Sequence, residues 1–158
     1  MAGVYYPVVT KNTRNRHTAV RKSLMPYPAK ILAVDDEPAL TDLMRYHLER
    51  AGYDVTTAAN GWEALDAIKH SRPDLILLDL MLPDLDGFGV CEILRRDPLT
   101  AMIPIIIVSA WASPDSRNLG LELGALDYLT KPFSPHDLVQ RVNQLMASRV
   151  GSRSAQIL

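Results

Sequence analysis

The sequence predicts an α/β fold built on a five-stranded parallel sheet, and three observations predict it. Beyond Lys30, short apolar runs rich in Ile, Leu and Val alternate with longer stretches of helical period. Two of those runs, Asp74–Leu78 and Pro104–Val108, are apolar almost throughout, as strands buried on both faces are. The length of 158 residues suits one domain with tails, since domains cluster at roughly 100–150 residues.

The elements follow in order. Lys30–Val34 is the first strand, and a helix from about Pro38 places Leu40, Leu43, Met44, His47 and Leu48 on one face until Gly52 ends it. Tyr53–Ala58 reads as the second strand, and Asn60 caps a helix carrying Ala64, Leu65 and Ile68. After the third strand, Asp74–Leu78, a loop over Leu80–Gly87 leads to a helix bearing Val90, Ile93 and Leu94, which exits at Asp97-Pro98. Strand four is Pro104–Val108. The fourth helix, about Pro114–Leu123, has no clean apolar period and is interrupted by Gly120 and followed by Gly124, so mobility is expected there. Leu126–Thr130 is the fifth strand. Ser134-Pro135-His136-Asp137 then supplies a cap, a first-turn proline and an acid, opening a helix that buries Leu138, Val142, Leu145 and Met146. The domain is expected over 30–147, with a polar tail over 148–158.

Residues 1–29 show no sustained period and read as a flexible basic extension. Through Lys30 the chain has six Lys or Arg and no Asp or Glu, leaving 11 of the 17 basic and all 18 acidic residues beyond it, a net −7. Without interleaved aromatics or a recognition helix, this leader reads as a solvated arm, and no DNA-binding domain is predicted. One cysteine, Cys91, cannot form an internal disulfide and reads as a packing residue. No apolar run reaches the ~20 residues of a membrane span, and no signal peptide is evident, so a cytoplasmic protein is expected.

In an open parallel sheet, ligands bind beyond the carboxyl ends of the strands. Asp35 and Asp36 follow the first strand, Asp79 the third, Ser109 the fourth, and Lys131 the fifth, just past Thr130. Three carboxylates gathered at one edge repel, each pair at ~4 Å costing on the order of 4 kcal/mol at an effective dielectric near 20. Lys131 answers part of that charge, and the remainder suits a hard divalent ion with oxygen ligands, Mg²⁺ above all. A carboxylate acceptor, a metal, a lysine and a hydroxyl are the ingredients of phosphoryl transfer, in which positioning and charge neutralisation supply most of the catalysis.

Three segments then resemble the response-regulator receiver family, in order and across about residues 30–147: Ile31-Leu32-Ala33-Val34-Asp35-Asp36-Glu37-Pro38, Asp74-Leu75-Ile76-Leu77-Leu78-Asp79-Leu80-Met81-Leu82-Pro83, and Tyr128-Leu129-Thr130-Lys131-Pro132-Phe133. The resemblance implies a doubly wound, flavodoxin-like (βα)₅ domain with strand order 2-1-3-4-5. It implies that Asp79 is the phosphoacceptor, Asp36 a direct Mg²⁺ ligand, Asp35 an acid acting mainly through bound water, and the Met81 carbonyl a further metal ligand. Lys131 would contact the phosphoryl group, Ser109 would move toward it on activation, and Tyr128 would turn inward in response. The Lys131-Pro132 bond is similar to one that is cis in the family. The implied partners are a sensor histidine kinase or phosphotransfer protein upstream and an effector downstream, which reads the surface of the fourth helix, fifth strand and fifth helix. That surface could also pair two copies of the chain.

Trp111, two residues past Ser109, is a departure, and its bulk is expected to shade the site from water. Asp84, Asp86 and Gly87 lack the other ligands of a calcium loop and read as a turn. His17, His47, His70 and His136 have no metal-ligand spacing, and His47 is expected at a helix boundary or in the core. Two other classes compete with the signalling one. A phosphohydrolase of the haloacid dehalogenase type would need a second Asp where this chain has Met81, and a phosphate-independent adaptor would not need the full acidic set.

Overall fold

Alternation within each strand decides which layer its side chains join. The computed structural model describes residues 27–155, and residues 1–26 of the predicted extension lie outside them. Ten elements alternate: β1 (Lys30–Val34), α1 (Pro38–Arg50), β2 (Asp54–Ala58), α2 (Gly61–Ser71), β3 (Leu75–Leu78), α3 (Gly87–Arg96), β4 (Ile105–Ser109), α4 (Pro114–Glu122), β5 (Asp127–Thr130) and α5 (Pro135–Ala155). The strands form one parallel sheet in the order β2-β1-β3-β4-β5. Ile31, Ala33, Leu75, Leu77, Ile106 and Val108 face a core shared with Met44 and Leu48 of α1 and Leu138 and Val142 of α5. Their neighbours Leu32, Val34, Ile76, Leu78, Ile105 and Ile107 face the opposite core, with Ala64 and Ile68 of α2 and Val90 and Leu94 of α3. The period of two thus sends adjacent residues into different layers, which is why the central strands are apolar without interruption.

The helix starts carry their own reasons. Asn60 accepts from the Glu63 N–H at 2.9 Å while Glu63 reaches back to the Ala59 N–H at 2.9 Å, so two otherwise unpaired donors are satisfied together. Asp86 caps α3 by accepting from Gly89 N–H, and Ser134 caps α5 by accepting from Asp137 N–H. Asp84 sits at φ 65° in the turn before α3. The acidic stretch is therefore a turn and a helix cap.

Several boundaries differ from expectation. β2, β3 and β5 start one residue later than predicted, and β4 runs Ile105–Ser109 rather than Pro104–Val108. Ser109 is consequently the last residue of its strand, paired with Thr130, and not a loop residue beyond it. Helix α5 continues past Ala147 to Ala155 through the first part of the predicted tail, because the polar sequence contains no helix breaker until Gly151 and a single Gly is tolerated there. Leu43 and Ile93 lie at the rims of their helix faces and are exposed, while Met44 and Leu94 point inward. The irregular period of α4 also has a cause. Gly120 is buried so close to the sheet that a Cβ there would stand 2.5 Å from Ile107 Cδ1, so the innermost contact of that helix is made by backbone, which carries no apolar signal. His47 is half-buried at the edge of α1, against the Tyr46 ring.

Candidate functional site

The strand order reverses its direction of growth between β1 and β3, and the carboxyl ends of those two strands flank the crevice where α/β sheets place ligands. Asp35 leaves the end of β1, its N–H donating to Ala58 O, and Asp79 leaves the end of β3, its N–H donating to Val34 O. Both are buried, and Asp36 beside them is exposed. Oxygen atoms from Asp35, Asp36 and Asp79 lie within 4.8 Å of one another, the one such acidic cluster among the described residues.

Each buried carboxylate is held at both oxygens. Asp35 Oδ1 accepts from the Glu37 N–H at 2.9 Å and Asp79 Oδ1 from the Met81 N–H at 3.1 Å. The Lys131 ammonium donates to Asp35 Oδ2 at 2.6 Å and to Asp79 Oδ2 at 3.1 Å. Lys131 arrives from just beyond β5, where its backbone N–H donates to Ser109 O and its bond to Pro132 is cis. Ser109 is fully buried, and its hydroxyl accepts from the Trp111 N–H at 3.2 Å. Tyr128 is buried and turned inward, donating its hydroxyl to Trp111 O at 2.5 Å, with the Arg117 guanidinium 5.2 Å from its ring centroid. Arg117 also donates to Thr130 Oγ1. Asp35, Asp36, Asp79, Ser109 and Lys131 therefore gather at this edge, and Tyr128 is bonded to the loop beside it.

Three carboxylates against one ammonium leave an excess of two negative charges. All the donor atoms are hard oxygens, so the residues present fit a divalent cation of the Mg²⁺ kind. Burial is the largest influence on Asp35 and raises its carboxyl above the ordinary 3.8, although Lys131 and the Glu37 N–H pull the other way. At Lys131 burial pulls the ammonium down, but the hydrogen bonds and charges of Asp35 and Asp79 together outweigh it and leave the pKa above 10.5.

These directions fix a pH dependence. A carboxyl that holds its proton more tightly when folded carries a penalty that is absent below pH 3.8 and grows as pH rises through its raised value. Lys131 contributes stability that is present below pH 10.5 and lost as pH rises through its own raised value. In chelator-treated buffer, Asp35→Asn should gain stability relative to the parent as pH rises above 3.8. Denaturant melts across that range check it. A variant that loses ground instead would mean that pairing with Lys131 outweighs burial.

Two neighbours of the site carry no motif. Gly87, the first residue of α3, lies so close to the acceptor strand that a Cβ would meet Asp79 O at 2.3 Å. Phe88 follows it and meets the Trp111 ring at a centroid distance of 6.1 Å and a tilt of 32°. Only the Asp86-Gly87-Phe88 run after the turn, a cap followed by a small residue, hints at such an approach in the sequence. Cys91 is buried with its thiol pushed up to about 11 by burial, which suits packing.

Among the described residues no helix is long and apolar enough to cross a membrane. The chain is 48% identical over 129 residues to the alkaline phosphatase synthesis transcriptional regulatory protein PhoP of Bacillus subtilis, covering 81% of this chain and 53% of that protein. It is 46% identical over 117 residues to the DNA-binding dual master transcriptional regulator RpaA of Synechocystis, covering 74% of this chain and 48% of that protein. The chain thus spans about half the length of these curated relatives. Among solved structures it resembles the receiver domain of Francisella response regulator 1452, with TM-score 0.72 and 39% identity over 77% of this chain and 98% of that one. It also resembles chemotaxis response regulator CheY4 of Vibrio cholerae, with TM-score 0.71 and 34% identity over 74% and 98%. The family model that matches, the response regulator receiver domain, runs over residues 31–143 and so takes in the strands from the second residue of β1 onward and every aspartate and lysine of the crevice; the chain belongs to that family.

Proposed function

We propose that the chain captures a phosphoryl group on Asp79 and passes the event to the surface formed by α4, β5 and α5. The observation that carries the reading is the Lys131 ammonium bridging two buried carboxylates, with a third within 4.8 Å. Asp79 is the acceptor because it is buried at the end of the central strand with its carboxylate already oriented by the Met81 N–H and Lys131. A carboxylate oxygen of Asp79 forms the new O–P bond as the bond between phosphorus and the donor's leaving atom breaks, and the electron pair leaves with the donor. Lys131 balances charge on the transferred group. Asp35 and Asp36, with Asp79 and the Met81 carbonyl, would hold Mg²⁺, which when bound supplies positive charge against the phosphoryl oxygens.

Ser109 then exchanges the Trp111 N–H for a phosphoryl oxygen, and the shift reaches Tyr128 through Trp111, to which both are bonded. The pattern of a single local charge biasing a packed element is the usual one for such switches. We propose a histidine kinase or phosphotransfer protein as donor. A downstream effector or a second copy of the chain would read the α4-β5-α5 face, where Leu119, Leu121 and Leu126 are exposed. The curated relatives are transcriptional regulators, so control of transcription through a further part of such a protein is the output we propose.

Intact-mass measurement after incubation with acetyl phosphate tests the first step. With Mg²⁺ the chain should gain the mass of one phosphoryl group, and a chelator should prevent the gain. A gain that ignores the chelator would remove the metal from the account, and no gain at all would overturn the reading.

A further inference from the structure

Trp111 is bound on three sides. Its N–H donates to Ser109 Oγ at 3.2 Å, its carbonyl accepts from Tyr128 at 2.5 Å, and its ring lies against Phe88. The first two contacts are made by the Trp111 backbone, so the switch hydroxyl and the switch aromatic are tied to one short stretch of loop between β4 and α4. The third is made by the side chain and leads elsewhere. Phe88 stands at the start of α3, next to Gly87, whose Cα is packed against the Asp79 carbonyl. The Trp111 ring is partly exposed and Phe88 is half-buried against the core. One side of this contact is therefore packed on the core and the other borders solvent.

We propose that Phe88 is a positioning residue for the switch: by holding the Trp111 ring, it fixes the backbone to which Ser109 and Tyr128 are bonded, and so sets how readily Ser109 leaves for a phosphoryl oxygen. The inference rests on phosphoryl capture at Asp79. It adds a link from the acceptor site to the first turn of α3, a part of the surface outside α4, β5 and α5. When Ser109 releases the Trp111 N–H, the loop is free to shift, and the ring must slide or lift on Phe88. An aromatic pair of this geometry is worth a modest amount, so its removal should change the switching equilibrium by roughly two- to twelve-fold, the equivalent of about 0.5–1.5 kcal/mol.

The chain holds two tryptophans, Trp62 and Trp111, so Trp62→Phe leaves Trp111 as the one indole fluorophore. Trp62 is exposed and outside the site, so this background should capture phosphoryl as the parent does. On addition of acetyl phosphate and Mg²⁺, its emission should change with the same time course as the gain in mass. Adding Phe88→Ala should remove most of that emission change while the gain in mass persists, and should shift the donor concentration for half-maximal labelling by the factor above. Phe88→Tyr should restore both. Phe88→Leu, which keeps apolar bulk but no ring, guards against a folding defect and should behave as the alanine variant does. A normal gain in mass with unchanged Trp111 emission in the Trp62→Phe background, or a leucine variant indistinguishable from that background, would overturn the inference and leave the proposed function standing. Absence of any gain in mass in that background would overturn both.

Discussion

Asp79→Asn should abolish phosphoryl capture completely and leave the metal-free protein at least as stable as the parent. The substitution keeps shape and volume at a buried position, and the amide oxygen can still accept from the Met81 N–H. What it removes is the charge and the nucleophilic oxygen. The electrostatic balance can be weighed. Losing the Lys131 contact at 3.1 Å forfeits about 5 kcal/mol at an effective dielectric near 20, while separations near the 4.8 Å limit imply relief of about 3.5 kcal/mol against each of two carboxylates. Asp36 is exposed and its share is screened, so the terms nearly cancel. Lys131 retains Asp35 as a partner at 2.6 Å, so no buried charge is stranded. Intact-mass measurement with acetyl phosphate and Mg²⁺ should show no gain, and a chelator-treated melt should show no loss of midpoint. A variant that still gains a phosphoryl group would move the acceptor to another residue. One that unfolds would mean the site's charge is not the destabilising feature described.

The separation of chemistry from folding in that variant mirrors what the sequence discloses. Strand identity was legible because β1, β3 and β4 bury both faces, so their composition is nearly pure Ile, Leu and Val, and the residue after each run necessarily lies at the sheet edge. That logic delivers Asp35 and Asp79 to one edge, and Lys131, arriving from just past β5, contacts both. It fails for contacts made sideways between loops and helix starts. Phe88 and Trp111 meet only because α3 and the loop after β4 both pack at the same edge, and no spacing in the chain encodes the distance between them. Arg95 is a second case. In sequence it is a charge in the last turn of a helix, whereas in the fold it donates to Ala101 O, Ile103 O and Gly124 O and pins two loops together. The carbonyls it satisfies are backbone atoms that every residue has, so nothing in the residue types announces them. Boundary errors have a related origin: Ser109 is polar and reads as beyond the strand, yet its backbone still pairs with Thr130.

Gly87→Ala should be the most damaging single methyl that can be added near the site. The backbone there has no positive φ, so the argument is one of space alone. A Cβ would stand 2.3 Å from Asp79 O and 2.7 Å from Leu80 Cα, and both are backbone atoms of the segment that positions the acceptor. Neither can rotate away as a side-chain terminus can. Either α3 moves outward, breaking the Gly87 N–H to Leu80 O bond of 3.0 Å, or the acceptor strand end moves with it. Overpacking costs 1–3 kcal/mol or more, and a clash with backbone on both sides belongs at the top of that range, about 3 kcal/mol, or roughly 10 °C in melting midpoint. Whatever fraction folds should capture phosphoryl about a hundred-fold more slowly, because a displacement of about 1 Å at a reacting group is enough for that. Gly89→Ala provides the contrast two residues on. There the nearest atom, at 2.7 Å, is Leu85 Cδ1, the end of a flexible side chain, and the Asp86 cap to the Gly89 N–H survives. Alanine's better helix propensity, worth up to about 1 kcal/mol, then opposes a small repacking, so this variant should melt close to the parent and label normally. If the two alanine variants proved equally stable and equally reactive, the close approach of α3 to the Asp79 carbonyl would not be what holds the acceptor in place.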